Sequence, residues 1–411
     1  MRQANELAHA CDRTPPLTDG LEGKQRVLLV HNYYQQPGGE DSVVANERRL
    51  LEEHGHSTAL YQVHNDEIVS FSDRVRVFRD ITYSARSRES LARKIADVRP
   101  DIVHVHNFFP LLTTAIYDAC QDAGVPVVQT LHNFRIICAG AFLTRNGQSC
   151  QKCLASTPYW SVLHRCYRGS TIGSLSVARM IDQNIRRRVW LTKVDRFIAL
   201  TPSAKAIFIQ AGLPACKIAI KPNFAPDPGE IVDARRHGAL YVGRLSAEKG
   251  VIEMIAAWRN IDYPLRIAGD GPLMKKMREM APGNVTFLGR LSSEEVADEM
   301  KRAAMLIAFS TSLEGFPVVI AEALAHGLPA IVSDIGALHD IIKHRITGLH
   351  AKRGDPAALA AAVRSLKSNP EALARMSRAA RSDYLAQYTP QTNYHHLTAI
   401  YKSVSRAERH R

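Results

Sequence analysis

The sequence has no hydrophobic run long enough to cross a membrane: nowhere among its 411 positions do roughly 18 apolar residues follow one another. It also lacks an apolar stretch near its start. Residues 1–25 carry Glu6, Asp12, Asp19 and Glu22, so they are expected to form a disordered polar leader and not a secretory signal. Low-complexity tracts are missing, which excludes a collagen-like chain. Cysteine is scarce and odd in number, seven in all, with a single Cys-x-x-Cys. This argues against a small disulfide scaffold and for reduced cytoplasmic thiols or a metal site. Acidic residues are nearly absent from one stretch. Residues 123–222 hold 14 lysines and arginines against only Asp182 and Asp195, so this window supplies almost all of the net charge of +13. An anionic partner is expected there, whether nucleic acid, anionic lipid or a phosphorylated substrate, with Arg186, Arg187 and Arg188 at the densest point; a merely solvated surface is the alternative.

What is present is a large apolar fraction, 45% against 23% charged, enough for the cores of two or three domains. From Arg26, short apolar runs (RVLLVHNYY, STALYQVH, DIVHVHNFF, VPVVQTLHN, VDRFIALT, KIAIKPN) alternate with stretches of helical periodicity, such as DSVVANERRLLEEHGH and residues 172–191. A polar, proline-bearing connection follows at residues 224–237. The alternation then restarts with GALYVGRL, PLRIAGDG, NVTFLGR, AMLIAFST and PAIVSD, and helices opening near Gly250, Leu273, Ser292, Gly315 and Pro356. Strands alternating with helices predict parallel sheets covered on both faces. The expected fold class is α/β, with two doubly wound, Rossmann-like domains and a cleft between them. Residues 26–223 would form the acceptor-side domain and residues 224–385 the donor-binding domain. A last helix within 386–411 would cross back to the first domain.

Ligands of such sheets bind beyond the carboxyl ends of the strands, and four groups fall there in order. VGRLSAEKG places Arg244 and Lys249 after one strand, and AGDGP places Gly269 after the next. STSLEGFPVVIAEALAHGLP puts Glu314 at a third strand's end, before a helix expected to open at Gly315-Phe316-Pro317-Val318. Ser333-Asp334 closes the fourth strand. Two cations, a glycine that lets backbone approach a ligand, and free helix N–H groups suit a nucleotide diphosphate. Glu322, about two helical turns beyond Gly315, suits the vicinal hydroxyls of a ribose.

VGRLSAEKG, GDGP and Glu314-x7-Glu322 within LEGFPVVIAEALAHGLPAIVSD closely resemble the donor domain of the family 4 glycosyltransferases of the GT-B fold, and the likeness runs from about Arg26 to Tyr401. The resemblance implies retaining transfer from a nucleotide-diphosphate sugar, with no cofactor and no bound metal. It gives Arg244 and Lys249 to the diphosphate, Glu322 to the ribose, and Glu314 with the amides of Gly315 and Phe316 to the sugar. Consistent with this, no Asp-x-Asp occurs in the chain to clamp a metal-bound diphosphate. Gly38 and Gly39 resemble the family's Gly-Gly loop, and His132 in LHN the histidine that contacts the donor sugar. Asn133 stands where an aspartate often follows. His132 is expected to position and polarise, because in retaining transfer the leaving phosphate takes the acceptor's proton. His104 and His106 share one strand face, and His106, nearer the strand's end, is the candidate to line the cleft. Cys138, Cys150, Cys153 and Cys166 are either a thiolate zinc site or free buried thiols.

The expected partners are a nucleotide sugar and a glycan or lipid-linked saccharide, in surface polysaccharide or glycolipid synthesis, with no nucleic acid. The expected location is cytoplasmic, peripheral on an anionic membrane face through the mixed apolar and basic helix at 172–191. Two other classes fit parts of the pattern: a sugar-nucleotide epimerase of the same fold, and a basic nucleic-acid-binding protein with a four-cysteine site. The second leaves Glu314 and Glu322 unexplained.

Overall fold

The computed structural model describes residues 23–35, 38–229 and 236–405. The expected leader lies almost wholly outside them, as do Cys11, part of the 224–237 connection and the last six residues of the chain. The chain divides into two units. Among the described residues, the first comprises those up to Ala141, Gln151–Lys221 and those from Tyr394 onward; the second comprises Phe142–Cys150 and Pro222–Asn393.

The first unit is built on six parallel strands: β1 (Arg26–Tyr33), β2 (Ser57–His64), β3 (Ile102–Val105), β4 (Val127–Leu131), β5 (Arg196–Ala199) and β6 (Ile218–Ile220). They lie in the order β2-β1-β3-β4-β5-β6. In β1, residues 27–32 are all buried, as a strand covered on both faces requires. The helix after it, α1 (Gly39–Glu53), starts because Gly38 takes an extended cap conformation and donates its N–H to Asp41 at 2.8 Å. Glu40 and Asp41 also favour the positive end of the helix dipole. Val43, Val44, Leu50 and Leu51 form its buried face, and Glu47 shares that face.

The second unit repeats the design with β7 (Ala239–Val242), β8 (Leu265–Ala268), β9 (Val285–Gly289), β10 (Met305–Ala308), β11 (Ala330–Ser333) and β12 (Gly348–Ala351). The order β9-β8-β7-β10-β11-β12 is that of the dinucleotide-binding sheets. Its core gathers Trp258, Ile255, Ile267, Ile307, Phe309 and Leu359. Both sheets are wholly parallel, so the α/β, doubly wound class holds in each unit.

The elements depart from expectation in several places. Helix α2 (Phe71–Asp80) and strand β12 were not foreseen; GLHA is short and begins with glycine, and its pairing with β11 makes it extended. The helix expected over 172–191 ends earlier: α3 spans Thr171–Arg186, and Arg188 turns left-handed at φ 54° before a short helix at Val189–Thr192. The helix expected to open at Gly315 is α4 (Val318–Ala325), capped by Pro317. The last helix, α5 (Pro390–Lys402), contributes its residues from Tyr394 onward to the first unit.

Candidate functional site

In a doubly wound sheet the ligand crevice opens where the strand order reverses. In the second unit that point lies between β7 and β10. Arg244 and Lys249 follow β7, and Glu314 follows β10, six residues beyond the strand and not at its end as the sequence had implied. The two loops are tied together by Thr311, whose N–H donates to the Glu248 carbonyl at 2.9 Å and whose hydroxyl donates to Ala247 at 3.2 Å. Gly250, at φ 64°, makes this possible: a Cβ there would sit 1.9 Å from the Phe309 carbonyl oxygen. The result is a direct ion pair, Lys249 Nζ to Glu314 Oε2 at 2.5 Å, with Ser310 Oγ donating to the other carboxylate oxygen. Arg244 is exposed and makes no ion pair among the described residues; its carbonyl is held by the Tyr241 hydroxyl at 2.9 Å.

Gly269 belongs to the same rim. A Cβ on it would fall 1.9 Å from the Gly243 carbonyl, so the turns after β7 and β8 lie flat against each other. Gly315 and Phe316 form the loop before α4. Pro317, at the cap, has no N–H to offer a ligand, whereas Val318 opens the helix with a free amide direction. Glu322 is therefore the fifth residue of α4, about one turn in. Its carboxyl is half-buried, burial raises its pKa, and it makes no ion pair among the described residues. It is a carboxylate left for donors that the described residues do not provide.

The reversal in the first sheet lies between β1 and β3, and Gly38 and Gly39 follow β1 there. Beside them stands an acid, Glu40, to which the sequence analysis gave no role. Glu40 Oε1 accepts from Asn107 at 3.2 Å and Oε2 from Asn133 at 3.4 Å. Burial, then the neighbouring Asp41, pushes its pKa up to about 8 against the pull of those amides and of Arg135. Asn133, in place of the family's aspartate, thus supplies a donor to Glu40 where an acid would repel it.

His132 follows β4. Burial, opposed by Glu47 and assisted by His31 and Lys221, pushes its pKa down to about 3, so it is neutral at physiological pH. Its Nε2 lies 3.0 Å from Nδ1 of His106, and the rings stack at 5.3 Å. His106 is only 3% exposed, and its pKa too is held well below the usual imidazole value by burial. Behind it lie His104, bound to the Tyr401 hydroxyl and to Thr130 at 2.8 Å each, and the fully buried pair Lys221 Nζ–Glu47 Oε1 at 2.5 Å. Ligand atoms of Glu47, His104 and His106 come within 4.8 Å of one another, but the Lys221 ammonium already neutralises that carboxylate and would repel a metal cation. Sequence reasoning missed Glu47 and Lys221. The available signal was an acid on the apolar stripe of a helix, at i+4 and i+3 from Val43 and Val44.

The basic window is largely engaged within the fold. Arg186 pairs with Asp182 at 2.9 Å, Arg187 lies over the Tyr83 ring, and Arg135 lies over Phe109 and Tyr167. The apolar face of α3 points inward: Val177, Met180 and Ile181 are buried, as are Val189 and Trp190 beyond it. Only Ile172 and Ile185 stand out, at 69% and 52% exposure. A helix over 172–191 lying flat in a membrane interface is therefore not what these residues build. Cys138, Cys150, Cys153 and Cys166 are half-buried and in no disulfide. Among the described residues, Cys138, Cys153 and Cys166, all of the first unit, do not gather into a cluster of three metal ligands.

Two family profiles divide the chain between them. The Glycosyltransferase Family 4 profile matches residues 25–226, and the Glycosyl transferases group 1 profile matches residues 232–383. The chain belongs to the group 1, family 4 glycosyltransferases of the GT-B fold. Among relatives of this group 1 glycosyltransferase, the glycogen synthase of Mycobacterium tuberculosis is 36% identical over 180 residues, 41% of this chain and 43% of that protein. The alpha-D-kanosaminyltransferase of Streptomyces kanamyceticus is 25% identical over 337 residues, 78% of this chain and 80% of the other. The chain spans roughly two-fifths of the length of the curated relatives it matches first. The crystal structure of Anabaena HepE in complex with UDP and glucose superposes with a TM-score of 0.65 at 17% identity, covering 92% of this chain and 100% of that one.

Proposed function

We propose that this chain is a retaining glycosyltransferase that moves a sugar from a nucleotide-diphosphate sugar to a glycan or lipid-linked saccharide, without a metal or other cofactor. The observation that carries the reading is the meeting of Lys249 and Glu314 at the strand-order reversal of the second sheet. Arg244 follows the same strand and pairs with no acid among the described residues, and the Glu322 carboxyl lies about one turn along α4.

In this reading Arg244 and Lys249 hold the donor diphosphate and stabilise the charge that grows on it as the glycosidic bond breaks. Glu322 accepts the two ribose hydroxyls. Glu314 orients the donor sugar with the amides of Gly315 and Phe316, while Gly269 and Val318 line the diphosphate. On the first unit, Gly38 and Gly39 provide a close backbone approach, and neutral His132 polarises a sugar hydroxyl while the departing phosphate takes the acceptor's proton. HepE was crystallised with UDP, which makes a uridine nucleotide the first donor to try.

An amphiphilic acceptor is supported by a groove of about 500 Å³ in the first unit. Phe78, Phe109, Tyr167 and Ile172 line it, with Arg74 and Arg168 among them. The helix beside it exposes Phe71 and Val75. Such a surface fits a cytoplasmic enzyme working peripherally at an anionic membrane face, although no helix of the described residues is long and apolar enough to cross one.

The test is a thermal-shift screen over nucleotide sugars, since a ligand bound only by the native state raises Tm by mass action. The productive donor is then assayed for nucleoside diphosphate release. Release that requires an acceptor and persists in EDTA is expected. Release without any acceptor would favour an epimerase, and loss on chelation restored by magnesium or manganese would refute metal independence.

A further inference from the structure

The buried Glu47–Lys221 pair has no part in the roles above, yet its geometry bears on His132. Glu47 and Lys221 are both 0% exposed, and their contact uses only Oε1 of the carboxylate. Among the described residues Oε2 has no hydrogen-bond partner, and neither has Nε2 of His106. These two orphaned atoms face each other at 3.7 Å. His104 offers Glu47 no alternative, because both its ring nitrogens are already bound, to Tyr401 and to Thr130.

The chemistry then leaves one proton arrangement. A carboxylate paired with lysine is ionised, and burial, which alone would raise the Glu47 pKa, is outweighed by Lys221 and His104, so that it lies below the usual value. An ionised carboxylate only accepts, so the nitrogen facing it carries the proton. His106 is thereby the Nε2–H tautomer, with a lone pair on Nδ1. That lone pair points at His132 Nε2 at 3.0 Å, so His132 Nε2 bears the proton and donates it. We propose that Glu47 and His106 are positioning residues that fix His132 as the Nε2–H tautomer, leaving its Nδ1 to accept a hydrogen bond from a substrate hydroxyl. The substrate half of this proposal rests on the transferase reading; the tautomer half does not. His132 thus serves as an acceptor toward the sugar and cannot act there as a proton donor.

The experiment is long-range ¹H–¹⁵N NMR on the full chain labelled with ¹⁵N-histidine, the signals being assigned from single His106→Asn and His132→Asn variants. Between pH 6 and 8 both rings are expected as neutral Nε2–H tautomers in the wild type. Finding His132 as Nδ1–H, or protonated, overturns the proposal, and this measurement needs no core variant to fold. In Glu47→Gln the side-chain amide donates where the carboxylate accepted, which inverts both rings. His132 should become Nδ1–H, and kcat should fall on the order of 10²-fold while KM for the donor moves little. Glu47→Asp should keep the wild-type tautomers and most of the rate. An unchanged tautomer in folded Glu47→Gln also overturns the proposal. If the tautomers are as stated but His132→Ala is fully active, the substrate half and the assignment of His132 fall together, and the relation among the three side chains stands.

Discussion

A half-buried carboxyl whose pKa burial raises, as that of Glu322 is, gains from a ligand whose hydroxyls donate to its charged form. Lys249 is in the opposite state, its charge already met by Glu314. Both truncations are expected to leave the fold intact and to lower kcat/KM by on the order of 10²–10³-fold. Wild-type turnover in either variant, at sub-saturating as well as saturating donor, would remove these residues from the site. Glu40 gives a test that does not depend on activity. Its pKa of about 8 in the folded chain stands above the unfolded value of about 4.3, so the native state keeps a proton that the unfolded chain has lost throughout that interval. Folding is therefore least penalised below the lower value, and stability drains away as pH climbs toward 8. Compared with Glu40→Gln, the wild type should lose Tm steadily between pH 5 and 8. Parallel Tm curves for the two proteins would show that Glu40 titrates normally.

Helix α1 shows how an element can carry both core and chemistry. Its apolar residues pack on the sheet, and Glu47 reaches Lys221 from the same face. Removing one partner of a buried ion pair strands the other, so Glu47→Leu should cost about 3–5 kcal/mol of unfolding free energy. The double variant Glu47→Leu/Lys221→Met should regain most of that loss, and urea denaturation of the three proteins measures it. Additive losses would mean that the pair is not coupled. The helices also mark where periodicity misleads. Residues 172–191 read as one helix because apolar spacing continues through the three arginines, whereas the backbone reverses at Arg188. The segment around Gly315 reads as helix because VVIAEALA follows it. Yet the helix begins three residues later, at Val318, behind a Pro317 cap that supplies no N–H. Strand β12 escaped notice because its extended state comes from pairing with β11 and not from its own residues.

At the scale of the whole molecule the net charge of +13 overstates what is available to a partner, since several arginines of the basic window already lie against Asp182, Tyr83, Phe109 and Tyr167. Membrane attachment, if it drives acceptor choice, should then depend on apolar insertion as well as charge. Co-sedimentation with anionic vesicles is expected to weaken with salt, and to weaken further in a Phe71→Asp/Ile172→Asp variant. Equal recovery on neutral and anionic vesicles, insensitive to salt and to that variant, would point instead to a soluble acceptor. The alternation of apolar runs and helical stretches by itself determined the α/β class, because continuous apolar strands have no stable place except a parallel sheet covered on both faces. The placing of glycines and charges after those strands likewise made Arg244, Lys249, Gly269, Glu314 and Glu322 legible as candidates. What only the tertiary structure decided is which of them meet. The Lys249–Glu314 contact joins residues 65 positions apart, and the Glu47–Lys221 contact joins residues 174 positions apart. Strand order sets both, and no local periodicity records strand order. Burial, too, is a property of the assembled layers, and it is burial that keeps His132 neutral and raises the pKa of Glu322.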